Sequence, residues 1–304
     1  MPTNPWTVVF LGTPEFACPS LAMLGESPLV SIPLVITQPD RPKGRGRKLT
    51  SPPVKDTARS LELPVIQPES IKSRELLDRL TGLEPDLLVV LAFGRLLPKP
   101  FLDIPRVGTV NVHPSLLPAW RGPAPVNWAV ISGQTVTGVT TMFLDEGMDT
   151  GPILQTREVS IGPKETAGEL ENRLALIGAH LLLETIQDLR AGTIVPQKQP
   201  ADGVSYGRLL TKEDGRLDWT QAAASVTALI RGLDPWPGAW TLFRGQPIRI
   251  FGAQTGPGQG SPGQILTLER NGLQVAAGCG SVCISEFQQP GKNRIPAAQF
   301  WHGQ

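Results

Sequence analysis

Leu87-Leu88-Val89-Val90-Leu91 follows Pro85-Asp86 and runs into Ala92-Phe93-Gly94. An alternating pattern would mark a strand with one wet face. An unbroken apolar run of strand length marks one buried on both faces, inside a sheet that helices cover on each side. The sequence on either side supplies the neighbours. Upstream, Trp6–Leu11 is a β-branched and aromatic run that ends in Gly12-Thr13-Pro14, and a helical pattern follows through Leu24. Leu29–Ile36 is the next strand and Pro64–Ile66 a brief third, while Ser70–Leu80 is a helix with Ser70 as its cap. Downstream, Val107–Val112 is a strand, Val126–Ile131 a short helix and Gly138–Phe143 a further strand. This alternation predicts an α/β fold, a Rossmann-like open sheet of largely parallel strands.

Ligands of such sheets sit beyond the carboxyl ends of the strands. Gly12-Thr13, Thr37-Gln38, Phe93-Gly94, Asn111–His113 and the loop after Phe143 all fall at such ends, and are expected to converge on one crevice. Gly12-Thr13-Pro14-Glu15 is not the glycine fingerprint of a dinucleotide site, and no phosphate-binding Gly-Lys-Ser/Thr loop occurs. A nucleotide cofactor is therefore not expected.

Thr166-Ala167-Gly168-Glu169 is a capping-box pattern opening a long helix, whose face is marked by Leu170, Leu174, Ile177, Leu181 and Leu189. His180 lies beside that face and reads as a solvated helix histidine. Gly192, Pro196, Pro200 and Gly203 interrupt every period between Ala191 and Tyr206. A helical run through Ser225–Arg231 follows. Then come short strand candidates at Trp240–Phe243, Ile248–Phe251, Gln264–Leu268, Leu273–Ala276 and Val282–Phe287, divided by Gly- and Pro-rich turns. That spacing predicts a small C-terminal OB-like β-barrel. The expected organisation is a catalytic domain over residues 1–190, a linker over 191–206 and the barrel over 207–304.

With 304 residues, 40% hydrophobic and 18% charged, the chain is a globular protein with room for two cores. A net charge of +1 leaves any basic face to be local. Met1-Pro2-Thr3-Asn4-Pro5 has no secretory pattern and no apolar run reaches membrane-spanning length, so the cytoplasm is the expected compartment. The three cysteines, Cys18, Cys279 and Cys283, form neither a disulfide framework nor a zinc set.

One of only three histidines stands in Asn111-Val112-His113-Pro114-Ser115-Leu116-Leu117-Pro118. In a strand, residues two apart project from the same side, so Asn111 and His113 can act on one reacting carbonyl. Leu144-Asp145-Glu146-Gly147-Met148-Asp149-Thr150-Gly151 is an acidic loop after a strand. Its carboxylates lack the further ligands of a magnesium or zinc site, so no metal is expected.

Asn111-x-His113, Ser115-Leu116-Leu117-Pro118, Arg121-Gly122 and Asp149-Thr150-Gly151 together resemble the signature of the formyltetrahydrofolate-dependent formyltransferases. The resemblance extends from Phe10 to about Phe287. It implies an enzyme in which Asn111, His113 and Asp149 are the catalytic trio and 10-formyltetrahydrofolate is the formyl donor. Asn111 would donate to the oxyanion, a role for which one donor is worth roughly 3 kcal/mol. His113 would act in its protonated form, and Asp149 would hold the imidazole and favour its charged state. The resemblance also implies a folate site at Ser115, Leu116, Leu117 and Pro118. Backbone contacts would come from Phe93, Gly94 and the loop at Asp145, Glu146 and Gly147, and apolar walls from Leu96 and Val139.

Gln38-Pro39-Asp40-Arg41-Pro42-Lys43-Gly44-Arg45-Gly46-Arg47-Lys48-Leu49 points to the acceptor. Arg41, Lys43, Arg45, Arg47 and Lys48 make five cations in twelve residues, a density suited to phosphate contacts. The stretch resembles the insertion loop by which the tRNA-directed members of the family enter the acceptor stem, with Arg45 at the key position. Gly215-Arg216-Leu217-Asp218-Trp219 and Asp234-Pro235-Trp236-Pro237-Gly238-Ala239 resemble motifs that open the family's C-terminal domain. From Gly207 onward nine Lys and Arg stand against six Asp and Glu, which suits an OB-like domain lying along tRNA. The resemblance thus implies a monomer that formylates methionyl initiator tRNA for translation initiation. The rival readings are a UDP-amino-sugar formyltransferase, for which the chain ends too early to include the frequently fused dehydrogenase, and a formyltetrahydrofolate hydrolase, which would leave the basic loop without a purpose.

Overall fold

The structure is a computed structural model that describes residues 4–43, 46 and 48–303, the side chain of Lys43 excepted. The chain forms two compact units. The first comprises Met1–Arg121, Gly138–Glu158 and Asn172–Ser205, and the second Gly122–Thr137, Val159–Glu171 and Tyr206–Gln304.

The first unit is built on strands β1 (Trp6–Gly12), β2 (Val30–Ile36), β3 (Arg41–Lys43), β4 (Lys48–Thr50), β5 (Val65–Ile66), β6 (Leu87–Leu91), β7 (Gly108–His113), β8 (Val136–Phe143) and β9 (Ile153–Ser160). Seven of them form one sheet in the order β5-β2-β1-β6-β7-β8-β9. The pairs from β5 through β7 are parallel. β6 lies at the centre with all five residues buried, as its unbroken apolar run implies. The short helices α1 (Cys18–Gly25), α2 (Pro53–Ser60), α3 (Arg74–Gly82) and α4 (Lys99–Leu102) connect the strands. Val9, Leu11, Leu34, Ile36, Leu76, Leu80, Leu88 and Val90 form the core beneath α3.

The cap of α3 differs from expectation. The Ser73 hydroxyl accepts from the Leu76 N–H at 3.2 Å, whereas Ser70 accepts from Lys72 N–H in a preceding turn. The helix starts where its inward stripe of Leu76 and Leu80 begins, and Ile71 is buried from the turn. β3 and β4 are a second departure. The described residues at either end of the basic stretch pair as a small antiparallel ribbon, with Arg41 opposite Thr50 and Lys43 opposite Lys48.

α5 (Pro125–Ile131) belongs to the second unit, and α6 (Ala167–Ala191) begins there and continues into the first. The capping box forms as read. Thr166 N–H donates to Glu169 Oε2 at 2.9 Å, and Glu169 N–H to Thr166 Oγ1 at 3.2 Å. Leu174, Leu181, Leu182 and Ile186 of α6 are buried, and His180 is exposed on the other face. The second unit continues with α7 (Ala223–Gly232), β10 (Ala239–Phe243), β11 (Gln246–Gly256), β12 (Ile265–Glu269), β13 (Gly272–Ala276), β14 (Ser281–Gln288), β15 (Ile295–Pro296) and α8 (Ala297–His302). Its antiparallel order is β10-β11-β14-β13-β12, with β15 on β14, which is the expected OB-like succession with β10 and β12 at the ends of the path. Ile230, Ile250, Val282, Ile284 and Phe287 fill its core, and Phe300 of α8 stacks on Phe287 at 4.6 Å.

Candidate active site

Three strand ends gather on one carbonyl. The Phe93 C=O accepts from Gln38 Nε2 at 2.7 Å and from Thr13 Oγ1 at 3.2 Å, which ties the ends of β1, β2 and β6 together. Gly94 turns away at φ +75°, and a Cβ there would stand 2.6 Å from Gln38 Nε2, so this position needs glycine. β7 extends the rim, with Asn111 opposite Val90 of β6.

The loop after β8 reaches the site by another route than expected. β8 is antiparallel to β7, with Phe143 opposite Val110 and Thr140 opposite His113. Its carboxyl end therefore lies level with the first half of β7, where Leu144 N–H donates to Thr109 C=O at 2.8 Å. The loop must run back towards His113. It is shaped by Asp145 Oδ1, which accepts from Gly147 N–H and the Thr150 hydroxyl at 3.0 and 2.7 Å. At Gly151 a Cβ would meet Phe143 O at 1.9 Å, so only glycine lets the returning backbone pass. The result places Asp149 Oδ2 3.7 Å from His113 Nδ1.

Asn111 and His113 share one side of β7 and are 9% and 4% exposed. Among the described residues the Asn111 carboxamide has no hydrogen-bond partner, which leaves its N–H groups available to a substrate oxygen. His113 Nε2 lies 2.9 Å from the Trp120 carbonyl oxygen. A carbonyl can only accept, so Nε2 carries the proton and the neutral ring keeps its lone pair on Nδ1, facing Asp149. Burial pushes the imidazole below its ordinary pKa, and the Asp149 carboxylate and the Trp120 carbonyl offset this only in part. Asp149 does favour the charged form, but burial outweighs it. Taking the ring out of water costs the cation more than a carboxylate 3.7 Å away returns.

The other expected residues fall into several environments. Ser115 is fully buried and its hydroxyl donates to Ala119 C=O at 2.6 Å, so it supports the turn around Leu116. Thr140 ties that turn to β8, donating to Ser115 C=O and accepting from Leu117 N–H. Leu117 is buried, and Leu116 and Pro118 are half-buried. Phe93 is buried, whereas Gly94, Leu96, Asp145, Glu146 and Gly147 are exposed. Val139 is not brought to this rim. Strand alternation puts it with Val112 on the opposite face of the sheet, and the side chains of both lie against Gly178 of α6. In the basic hairpin, Arg41 Nη2 donates to Gln38 Oε1 at 2.7 Å and Lys48 is exposed. Arg45 and Arg47 lie outside the described residues. The hairpin root is fixed by an ion pair between Lys55 and Asp40 at 2.8 Å, with Gln67 donating to the same carboxylate. No cluster of three metal-ligating side chains occurs among the described residues.

Two residues without an assigned role also reach this loop: Arg121, whose role the Arg-Gly motif left open, and Gln199. The Gln199 side chain donates to the Asp149 and Gly151 carbonyls, and Arg121 donates to Gln199 Oε1. Gln199 sits in a stretch of Gly and Pro that carries no periodic signal, so the sequence had nothing to flag it.

A formyl transferase family model matches residues 7–186, and the model for the formyl transferase C-terminal domain matches residues 209–304. The chain belongs to the formyl transferase family. Within it, the methionyl-tRNA formyltransferase of Citrifermentans bemidjiense is 47% identical over 296 residues, covering 97% of this chain and 93% of that protein. The methionyl-tRNA formyltransferase of Trichlorobacter lovleyi is 46% identical over 298 residues, covering 98% and 94%. Among solved structures, a Helicobacter canadensis N-formyltransferase in complex with folinic acid and dTDP-3-aminofucose superposes with a TM-score of 0.67 at 17% identity, covering 92% of this chain and 98% of that one. HypX of Aquifex aeolicus in complex with tetrahydrofolic acid gives 0.63 at 19% identity, and 98% of this chain spans 47% of that larger protein. At these identities the two structures establish a shared formyl transferase fold.

Proposed function

We infer that this chain transfers a formyl group from a folate donor to the α-amine of methionyl initiator tRNA, giving N-formylmethionyl-tRNA. The donor of this reading is 10-formyltetrahydrofolate. The observation that carries the chemistry is the pairing of Asn111 and His113 at the end of β7 with Asp149 3.7 Å from the imidazole. The acceptor follows from full-length similarity to methionyl-tRNA formyltransferases at 44–47% identity.

The amine nitrogen attacks the formyl carbon, and the carbonyl electron pair moves onto oxygen. The Asn111 side-chain N–H donates to that oxyanion, an interaction worth about 3 kcal/mol when made in a dry site. The attacking amine must lose a proton, and the neutral His113 offers the Nδ1 lone pair to take it, since Nε2–H is held by Trp120. The imidazolium so formed is stabilised by Asp149. The same proton then passes to the folate nitrogen as the bond from carbon to that nitrogen breaks. The residues present fit such a donor. The rim at Gly94, Leu96 and Asp145–Gly147 is exposed, and Leu96, 74% exposed, is an apolar side chain available to a ring system. Arg41, Lys43, Arg45, Arg47 and Lys48 would contact the tRNA backbone.

The test offers purified protein the formyl donor with methionyl initiator tRNA, with a UDP-amino sugar, or with water alone. Formyl-methionyl-tRNA is expected from the first arm only. Formylation of the sugar without the tRNA would overturn the acceptor assignment.

A further inference from the structure

Arg121 and Gln199 take no part in the proton transfers above, yet they are built into the site. They are 9% and 7% exposed. The Gln199 carboxamide is fully used. Its oxygen accepts from Arg121 Nε at 3.1 Å and Nη2 at 2.7 Å, and its nitrogen donates to the carbonyls of Asp149 and Gly151, both at 2.8 Å. Asp149 adopts φ +54°, a left-handed conformation uncommon for residues with a side chain, although Asp reaches it more readily than most. The two carbonyls held by one amide are that residue's own and the one two residues further on, so the amide fixes the backbone on the carboxyl side of Asp149. Arg121 is itself anchored, its N–H donating to Ser205 C=O at 2.9 Å. The residue before it, Trp120, supplies the carbonyl that fixes the His113 tautomer, and its own N–H donates to Ser205 Oγ at 2.9 Å. Both partners of the imidazole are thus referred to one patch of backbone, formed by Trp120-Arg121 and the segment from Gln199 to Ser205.

We propose that Arg121 and Gln199 form a clamp that sets the position of the Asp149 carboxylate relative to His113, making them positioning residues for formyl transfer. The proposal rests on the Asn111, His113 and Asp149 reading and adds the device that keeps its third member in place. Asp149 is delivered by a loop whose strand ends on the far side of β7. Asp145 shapes the first part of that loop through Gly147 and Thr150, and the clamp holds its second part at the Asp149 and Gly151 carbonyls, beside the left-handed residue whose carboxylate faces the ring. The clamp grips the loop at Asp149 and Gly151, beyond the Asp145–Gly147 turn that Asp145 Oδ1 holds through Gly147 N–H and the Thr150 hydroxyl, so its loss should leave the donor rim in place.

The experiment is a double-mutant cycle on the full chain. Gln199→Glu keeps an acceptor for Arg121 and removes the two N–H donors, and Gln199→Met removes both functions at similar length. Gln199→Glu is expected to lower kcat roughly 10- to 100-fold through misplacement of a reacting group. KM for each substrate should stay within about twofold, the mark of a loss confined to the transition state. In an Asp149→Asn background the same change is expected to cost less than about twofold, because residues acting as one unit are not additive. A full additive loss in that background would overturn the clamp while leaving the trio standing. A raised KM with kcat unchanged in both Gln199 variants would also overturn it. An Asp149→Asn variant as active as the parent would remove the trio and the clamp together.

Discussion

His113 is pulled in two directions, and the balance can be measured. Burial favours the neutral ring, while the Asp149 carboxylate and the Trp120 carbonyl favour the cation, and burial wins. A base in this state acts above its folded pKa, so the acid limb of kcat/KM is expected to lie below the ordinary imidazole value of about 6.5. Asp149→Asn removes a raising influence and should move the imidazole titration, followed by nitrogen NMR, to still lower pH. A shift upward would contradict the assigned balance. The stability linkage has the same sign. The unfolded chain takes up a proton as pH falls through about 6.5, while folded His113 resists until lower pH, so its contribution is complete above that value and is lost as pH falls towards the folded pKa. The residue identities here were legible, since Asn, His and Asp in this arrangement can be read directly. The tautomer was not, because it depends on a carbonyl seven residues away that nothing in Trp120's identity announces.

The hairpin of β3 and β4 shows what an element can add to a string of charges. Its cations were plain in the sequence, but its two strands of three residues each were too short, and too interrupted by Pro and Gly, to carry a strand pattern. A two-stranded ribbon is marginal alone. This one is fixed at its root by the Lys55–Asp40 pair and Gln67. Such an arrangement presents exposed cations such as Lys48 from a rigid base. Arg45→Ala combined with Lys48→Ala is expected to weaken tRNA binding and to flatten its dependence on salt by roughly two phosphate contacts. KM for the formyl donor should not change. Equal losses for both substrates would contradict the role given to the hairpin. The sense of β8 makes the same point from the other side. Gly138–Phe143 was readable as a strand, but direction is set by which partner it pairs with, and that pairing with β7 is a tertiary choice.

At the scale of the whole molecule, the two units do not follow one cut in the chain. Residues 122–137 and 159–171 pack with the C-terminal unit. Asn127 Nδ2 donates to Gly232 C=O at 2.8 Å, Trp128 Nε1 to Arg208 C=O at 2.8 Å, and Arg231 Nη1 to Glu165 C=O at 3.0 Å. A fragment ending at Tyr206 would strip these partners away and further expose Trp128 and Ile131, which are half-buried against the C-terminal core. Its urea midpoint is expected to fall below that of the intact chain, with binding of a hydrophobic dye to the fragment at rest. A fragment as stable as the parent would show that these segments do not need the second unit. The sequence by itself determined the elements whose information is local. The apolar run of β6, the capping box of α6, the even spacing of the C-terminal strands and the Asn111-x-His113 motif all act within a few residues, where periodicity and side-chain chemistry suffice. Tertiary structure alone decided the path of the loop that delivers Asp149, the burial that lowers the His113 pKa and the hydrogen bonds from Arg121 to Gln199. Each of these depends on burial or on partners brought together from 27 to 78 residues apart, and no local pattern encodes such a distance.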